Sequence, residues 1–178
     1  MMEFAITGVL PQARTSSLRE RVSKLYLEAR EDVYRYLLTL GLDPAHAQEA
    51  TQEVFLRLYT ALRKGEEIQS ARAWIFRVAH NLGLKIRSKR DPYTPLTPEI
   101  EVRAASPEPG PEESLIDRER MLRFHRAVGN LSEQQRRCLF LRLEGLRYAE
   151  IGSTLGISAS AAGEFLRRAV ARLKKVNE

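Results

Sequence analysis

A single cysteine, Cys138, stands in the 178-residue chain, so no intramolecular disulfide and no cysteine-based metal cluster can form. It lies in the apolar run Cys138-Leu139-Phe140-Leu141 and reads as a core residue. Histidine is almost as scarce. His46, His80 and His125 are far apart in sequence, and no pair has the spacing of metal ligands on a helix. No apolar run approaches the ~20 residues of a membrane span. Met1 to Gln12 has no basic stretch ahead of its short apolar segment and makes a poor secretion signal. The expectation is a cytoplasmic protein that does not insert into membranes. There is no glycine-rich phosphate loop, no His-x-x-x-His and no Gly-x-Ser-x-Gly. Nothing therefore points to an enzyme, a cofactor or a small-molecule substrate. Strand patterns and internal repeats are missing too.

What is present is helix-forming and charged. Ala, Leu, Arg and Glu dominate, and all four favour helices. Apolar residues make up 43% of the chain, enough for small cores. Lys and Arg number 29 against 23 Asp and Glu, a net of +6. The charge is blocked: residues 1–90 carry 15 basic and 10 acidic side chains, 91–114 carry 1 and 6, and 115–178 carry 13 and 7. Six of the eight prolines fall in the acidic middle block. Such a segment buries too little apolar surface to offset its ordering entropy and is expected to be a flexible linker. Two basic blocks flanking it fit a polyanionic partner, or simply a soluble arginine-rich surface.

The predicted architecture is all-α, with two small helical domains. Residues 1–17 show no sustained period and read as a flexible arm. Domain one spans 18–90. Its first helix starts at Leu18 and stops at Gly41. Asp43-Pro44 caps a second, with the stripe Ala47, Ala50, Val54, Leu58 and Leu62, ended by Gly65. Ser70 caps a third, with the stripe Trp74, Ile75, Val78, Ala79, Leu82 and Ile86. Domain two spans 115–178 and holds four helices. Ser132 with Gln135 makes a capping box ahead of Cys138, Leu139, Leu141 and Leu143. The last helix begins after Ser158, with the stripe Ala162, Leu166, Ala169, Val170 and Leu173.

Leu155-Gly156-Ile157-Ser158 joins the last two helices as a glycine bend, an apolar plug and a cap. With small residues at Ala149 and Ala162 for close approach, this reads as a helix-turn-helix. Its second helix offers N-terminal residues to base edges, and Arg167, Arg168, Arg172, Lys174 and Lys175 are placed for phosphates. A plain helical hairpin with a solvated basic face is the rival reading. On the third helix of domain one, the face opposite the stripe carries Arg72, Arg77, His80, Asn81, Lys85 and Arg87, which suits DNA backbone and unpaired bases. Trp74 reads as packing. Glu49 and Glu53 point the same way on an exposed helix, which fits a partner surface better than a catalytic cleft.

The run Asp43-Pro44-Ala45-His46-Ala47-Gln48-Glu49-Ala50-Thr51-Gln52-Glu53-Val54-Phe55-Leu56-Arg57-Leu58 resembles the second helix of the extracytoplasmic-function (ECF) sigma factors. Ala71-Arg72-Ala73-Trp74-Ile75-Phe76-Arg77-Val78-Ala79-His80-Asn81-Leu82 is similar to the helix that follows it there. The stretch from Leu131-Ser132-Glu133-Gln134-Gln135-Arg136-Arg137 to Leu173 resembles that family's promoter-reading helix-turn-helix domain. The resemblance implies a factor that binds core RNA polymerase and directs promoter-specific initiation. It implies that Glu49, Gln52, Glu53 and Phe55 dock on the clamp helices of the polymerase largest subunit. The loop Lys64 to Gln69 and Arg72, Trp74, Arg77, His80, Asn81, Lys85 and Arg87 would open and read the minus-ten element. Ser158, Ser160, Ala161, Gly163, Glu164, Arg167, Arg168 and Arg172 would meet the minus-thirty-five element.

The chain departs from the family pattern at Gly163 and Phe165, where the family often has Lys and Arg. Glu164, between them, reads either as an acceptor for a cytosine amino group or as a solvated residue. The family commonly has an anti-sigma antagonist, so one joins polymerase and promoter DNA among the implied partners. The alternative is a helix-turn-helix regulator that acts without polymerase, or a sigma-like decoy that binds an antagonist and never DNA.

Overall fold

The computed structural model describes residues 11–89 and 115–175, and holds seven helices and no strand among them. The arm before Pro11 and the linker 91–114 lie outside the described residues. The first three helices are α1 (Pro11–Thr39), α2 (Pro44–Arg63) and α3 (Ala71–Lys89). The last four are α4 (Leu115–Gly129), α5 (Glu133–Leu143), α6 (Tyr148–Leu155) and α7 (Ala159–Lys174).

α1 begins at Pro11, earlier than the stripe from Leu18 predicts. Residues 11–17 carry no apolar period, so periodicity alone could not find the start. Ala29, Val33, Tyr36, Leu37 and Leu40 are the buried face. Gly41 ends the helix at φ 92°, a conformation that costs glycine nothing. Asp43 then caps α2, its side chain accepting the His46 amide at 3.0 Å. α2 buries Ala47, Ala50, Thr51, Val54, Phe55, Leu58 and Ala61. Ser70 caps α3 through the Ala73 amide at 3.2 Å, and α3 buries Ile75, Phe76, Ala79, His80 and Gly83.

The second half obeys the same local rules. Ser132 and Gln135 form the expected reciprocal capping box, at 3.0 and 3.3 Å. Ser158 caps α7 through the Ala161 amide at 3.0 Å. Cys138 is fully buried, and burial pushes its thiol up to about 11. Two expected core positions turn outward. Leu143 is 77% exposed and Val170 is exposed as well, because each falls at the edge of its stripe.

The two halves touch. α3 lies in close contact with α6. The Phe140 ring of α5 packs on Tyr36 of α1, centroids 5.3 Å apart, and stands edge-on to Phe76 of α3 at 6.4 Å. Aromatic pairs of this kind contribute about 0.5–1.5 kcal/mol beyond the area they bury.

Candidate nucleic-acid interface

The helix-turn-helix is built on a bend at Gly156, φ 69°, closed by the Ile157 amide on the Gly152 carbonyl at 3.0 Å. The close approach of α6 and α7 rests on Gly152 and Ala162. A Cβ at Gly152 would lie 2.6 Å from the Ile157 carbonyl oxygen and 3.2 Å from the Ala159 nitrogen, both backbone atoms. Ala149, expected at this contact, is exposed, while Ala162 is fully buried. Gly152 is therefore the position that sequence reasoning missed. Its signal was a glycine one residue after Ile151 inside a short helix.

Ser160 is exposed, and Ala161 and Gly163 are half-buried at the start of α7. Gly163 faces the Tyr148 ring, whose Cδ2 and Cε2 would sit 3.7 Å from an added Cβ. That is ordinary contact, so space alone does not demand glycine. Tyr148 is itself half-exposed beside the recognition helix, with the Arg142 guanidinium 5.4 Å from its ring centroid. The sequence pattern alone did not single it out.

Glu164 is neither bare nor simply solvated. Its carboxylate accepts from Arg167 Nη2 at 2.7 Å, Arg167 Nε at 3.0 Å and Arg168 Nε at 2.7 Å. Those hydrogen bonds, with the two positive charges, hold its pKa down to about 2. Arg172 reaches back over the domain to the Asn130 carbonyl at 3.3 Å and Gln135 Oε1 at 3.4 Å. Arg168 and Arg172 thus have different partners within the chain.

On α3 the polar face divides. Arg77, Asn81 and Lys85 are exposed. His80 is 4% exposed and hydrogen-bonds through Nδ1 to the Tyr36 hydroxyl at 2.9 Å, which corrects its placement on the DNA side. Burial, with the Arg137 charge, pushes its pKa down to about 4, so the ring is neutral near pH 7. Trp74 is half-buried, and its Nε1–H donates to Glu66 Oε1 at 3.2 Å, pinning the preceding loop to α3.

Arg72 and Arg87 turn toward the second half. Arg72 donates to Asp32 Oδ2 at 2.8 Å, to the Glu144 carbonyl at 2.7 Å and to the Glu144 carboxylate. Burial raises Asp32, but Arg72 and Arg35 outweigh it and the carboxyl sits below its usual range. Burial and the nearby Asp32 charge leave Glu144 above its usual range despite Arg72. Arg87 donates to Glu133 Oε1 at 2.9 Å and to the Leu40 carbonyl at 3.4 Å.

On α2, Glu49 and Gln52 are exposed, and Glu53 is paired with Arg57 at 2.7 Å. Phe55 is 5% exposed and stands edge-on to Tyr26 with centroids 5.1 Å apart, so it is a packing residue and not a docking one. One step on, a rotation of about 100°, Leu56 is 62% exposed. With Tyr26, Leu27, Gln52 and Tyr59 it lines a shallow groove between α1 and α2.

Two family models match the chain: sigma-70 region 2 over residues 25–91 and sigma-70 region 4 over residues 121–173. Among curated relatives, the ECF RNA polymerase sigma factor SigK of Mycolicibacterium vanbaalenii is 26% identical over 163 residues, covering 88% of this chain and 81% of the relative. The ECF RNA polymerase sigma factor BldN of Streptomyces coelicolor is 32% identical over 159 residues, covering 86% of this chain, which spans 59% of BldN's length. Among solved structures, the sigma factor RpoE of Bartonella quintana, in complex with the anti-sigma factor NepR, aligns with a TM-score of 0.60 at 19% identity, over 86% of this chain and 94% of that one. CnrH, in complex with the cytosolic domain of CnrY, aligns at 0.58 and 19%, over 92% of each chain. These two likenesses are of fold. With both regions in order on one chain, the class is that of sigma-70-type initiation factors. Within it, the chain belongs to the ECF RNA polymerase sigma factors, which direct transcription initiation.

Proposed function

We propose a division of labour between residues 18–90 and 115–178, joined through 91–114. The first unit docks on core RNA polymerase through Glu49, Gln52, Glu53 and the exposed Leu56, and opens the minus-ten element with Arg77, Asn81 and Lys85. The second reads the minus-thirty-five element with the start of α7, where Ser160, Glu164, Arg167 and Arg168 stand clear of the core. The chain acts as a non-catalytic subunit in the cytoplasm, and no described helix is long and apolar enough to cross a membrane. An antagonist of the anti-sigma kind belongs among its partners.

The observation that carries this reading is the exposed row Arg77, Asn81 and Lys85 on α3, at steps of four, beside a complete apolar face. A helix so built presents cations and an amide to the backbone and edges of unstacked bases. Opening DNA this way needs no hydrolysis, because captured bases repay unstacking of a few kcal/mol. In vitro transcription with core polymerase tests the proposal. Defined transcript starts that appear only when the chain is added support it. Tight binding to a symmetric DNA site without polymerase, and no transcript, would replace it with an independent regulator.

A further inference from the structure

Tyr148 opens α6 with 48% of its surface exposed, and its ring lies beside Gly163 of α7. The Cδ2–Cε2 edge of the ring runs past that glycine, where an added Cβ would stand 3.7 Å from both atoms. The Arg142 guanidinium carbon stands 5.4 Å from the ring centroid, and Arg142 Nη1 donates to the Leu146 carbonyl at 3.0 Å. The ring is thereby held at the side of the recognition helix without being buried. Phe165, the other aromatic residue of α6 and α7, packs against the core instead.

Packing does not account for Gly163. A Cβ there meets only ordinary contact, and glycine inside a helix is less stable than alanine. What the glycine does is leave the ring edge uncovered, because a longer side chain would extend from that Cβ along it. Ala159 and Ser160, one turn earlier, share the Gly163 face of α7, and both are exposed. The face is therefore small and uncharged over the turns nearest the base edges, with an aromatic edge as its wall. Residues 159–163 supply no arginine or lysine for the bidentate contact that reads guanine. The next cations, Arg167 and Arg168, are held by Glu164.

Such a surface matches the apolar group of the major groove, the thymine C5-methyl. In a helix-turn-helix the second helix lies in that groove and the first crosses the backbone beside it. A ring at the start of the first helix, touching the second, stands at the wall of the groove. We propose that Tyr148 is a specificity-determining residue. The space that Gly163 leaves open beside its ring edge receives a thymine methyl of the minus-thirty-five element. This deepens the reading of the second unit given above and rests on it. Tyr148 supplies the contact area, and Gly163 supplies the opening.

The test separates the methyl from the base pair that carries it. Templates are selected by in vitro transcription from a randomised promoter library, with core polymerase and the full chain. Each thymine of the selected minus-thirty-five element, on either strand, is then replaced singly by deoxyuridine, which pairs alike but lacks the methyl. At one or two positions the wild-type chain should lose about fourfold in apparent promoter affinity, the worth of one buried methyl. Tyr148→Phe should keep that loss, and Tyr148→Ala should abolish it. Gly163→Lys should abolish it too, by covering the ring edge, while its charge raises affinity for every template. Should Tyr148→Ala lose helix content, Tyr148→Gln keeps the bulk without the ring and is read the same way. A methyl effect that persists in the ring-free or ring-covered variants overturns the proposal. So does its absence from the wild type on templates that it transcribes specifically. A wild-type chain that starts no transcript from any library member removes the initiation reading, and the thymine contact falls with it.

Discussion

The Tyr36 hydroxyl and His80 Nδ1 meet at 2.9 Å inside the α1–α3 contact, a buried polar pair among apolar side chains. Each satisfies the other, so neither group carries the cost of an unpaired buried donor or acceptor. Burial of His80 in that contact also ties the fold to pH. In the unfolded chain His80 takes up its proton near 6.5, and in the folded chain near 4. The stabilisation from keeping the ring neutral is complete above 6.5 and is lost progressively as the pH falls from there toward 4. Unfolding free energies from urea titrations should therefore drop across that window by roughly 2–3 kcal/mol, and in His80→Gln the slope should flatten. Parallel pH profiles for the two chains would show that His80 is not the titrating group.

Phe55 and Leu56 separate folding from docking. Phe55→Ala should cost about 3–5 kcal/mol of stability through the cavity it leaves beside Tyr26. Leu56→Asp and Glu53→Lys should cost under about 0.5 kcal/mol, since both positions are at the surface. Both should weaken binding to core polymerase. Thermal melts and a pull-down titration measure the two effects independently, and unaltered polymerase affinity in both surface variants would remove this face from the docking assignment.

Asn81 is exposed on α3 between Arg77 and Lys85. Asn81→Ala should reduce transcription from a duplex promoter more than from one already melted around the minus-ten element. Equal loss on the two templates would assign Asn81 to binding rather than opening.

Local chemistry made the caps legible. Asp43, Ser132 and Ser158 act on amides within three residues, and each does what its neighbours in sequence dictate. Helix faces were legible to within about one residue's rotation. That margin is enough to exchange Phe55 for Leu56 and to bury His80 beside Asn81. The partners of Arg72 and Arg87 lie 72 and 46 residues away. They are set by how two separately patterned units meet, a contact that leaves no periodic trace in the chain.

Glu164 holds two arginines on the recognition helix. Glu164→Ala should free both for phosphate, raising DNA affinity while relaxing base preference at one or two positions of the minus-thirty-five element. Arg168→Ala should weaken all promoters alike and reduce the salt slope by roughly one unit. A randomised promoter library read at two salt concentrations separates the variants. Wild-type base preference at every position in Glu164→Ala would mean that the carboxylate has no part in readout.

The backbone contact at Gly152 sets a rule for anyone who would retarget this chain to a new promoter. The angle at which α7 leaves α6 is fixed by a carbonyl oxygen resting where a side chain would otherwise be. Ser160, Glu164, Arg167 and Arg168 project from that frame and can be diversified without disturbing it. Any residue larger than glycine at 152 pries the two helices apart and re-aims every one of them at once. A library that includes position 152 therefore samples docking angles rather than base contacts, and its members read out misalignment where altered specificity was sought.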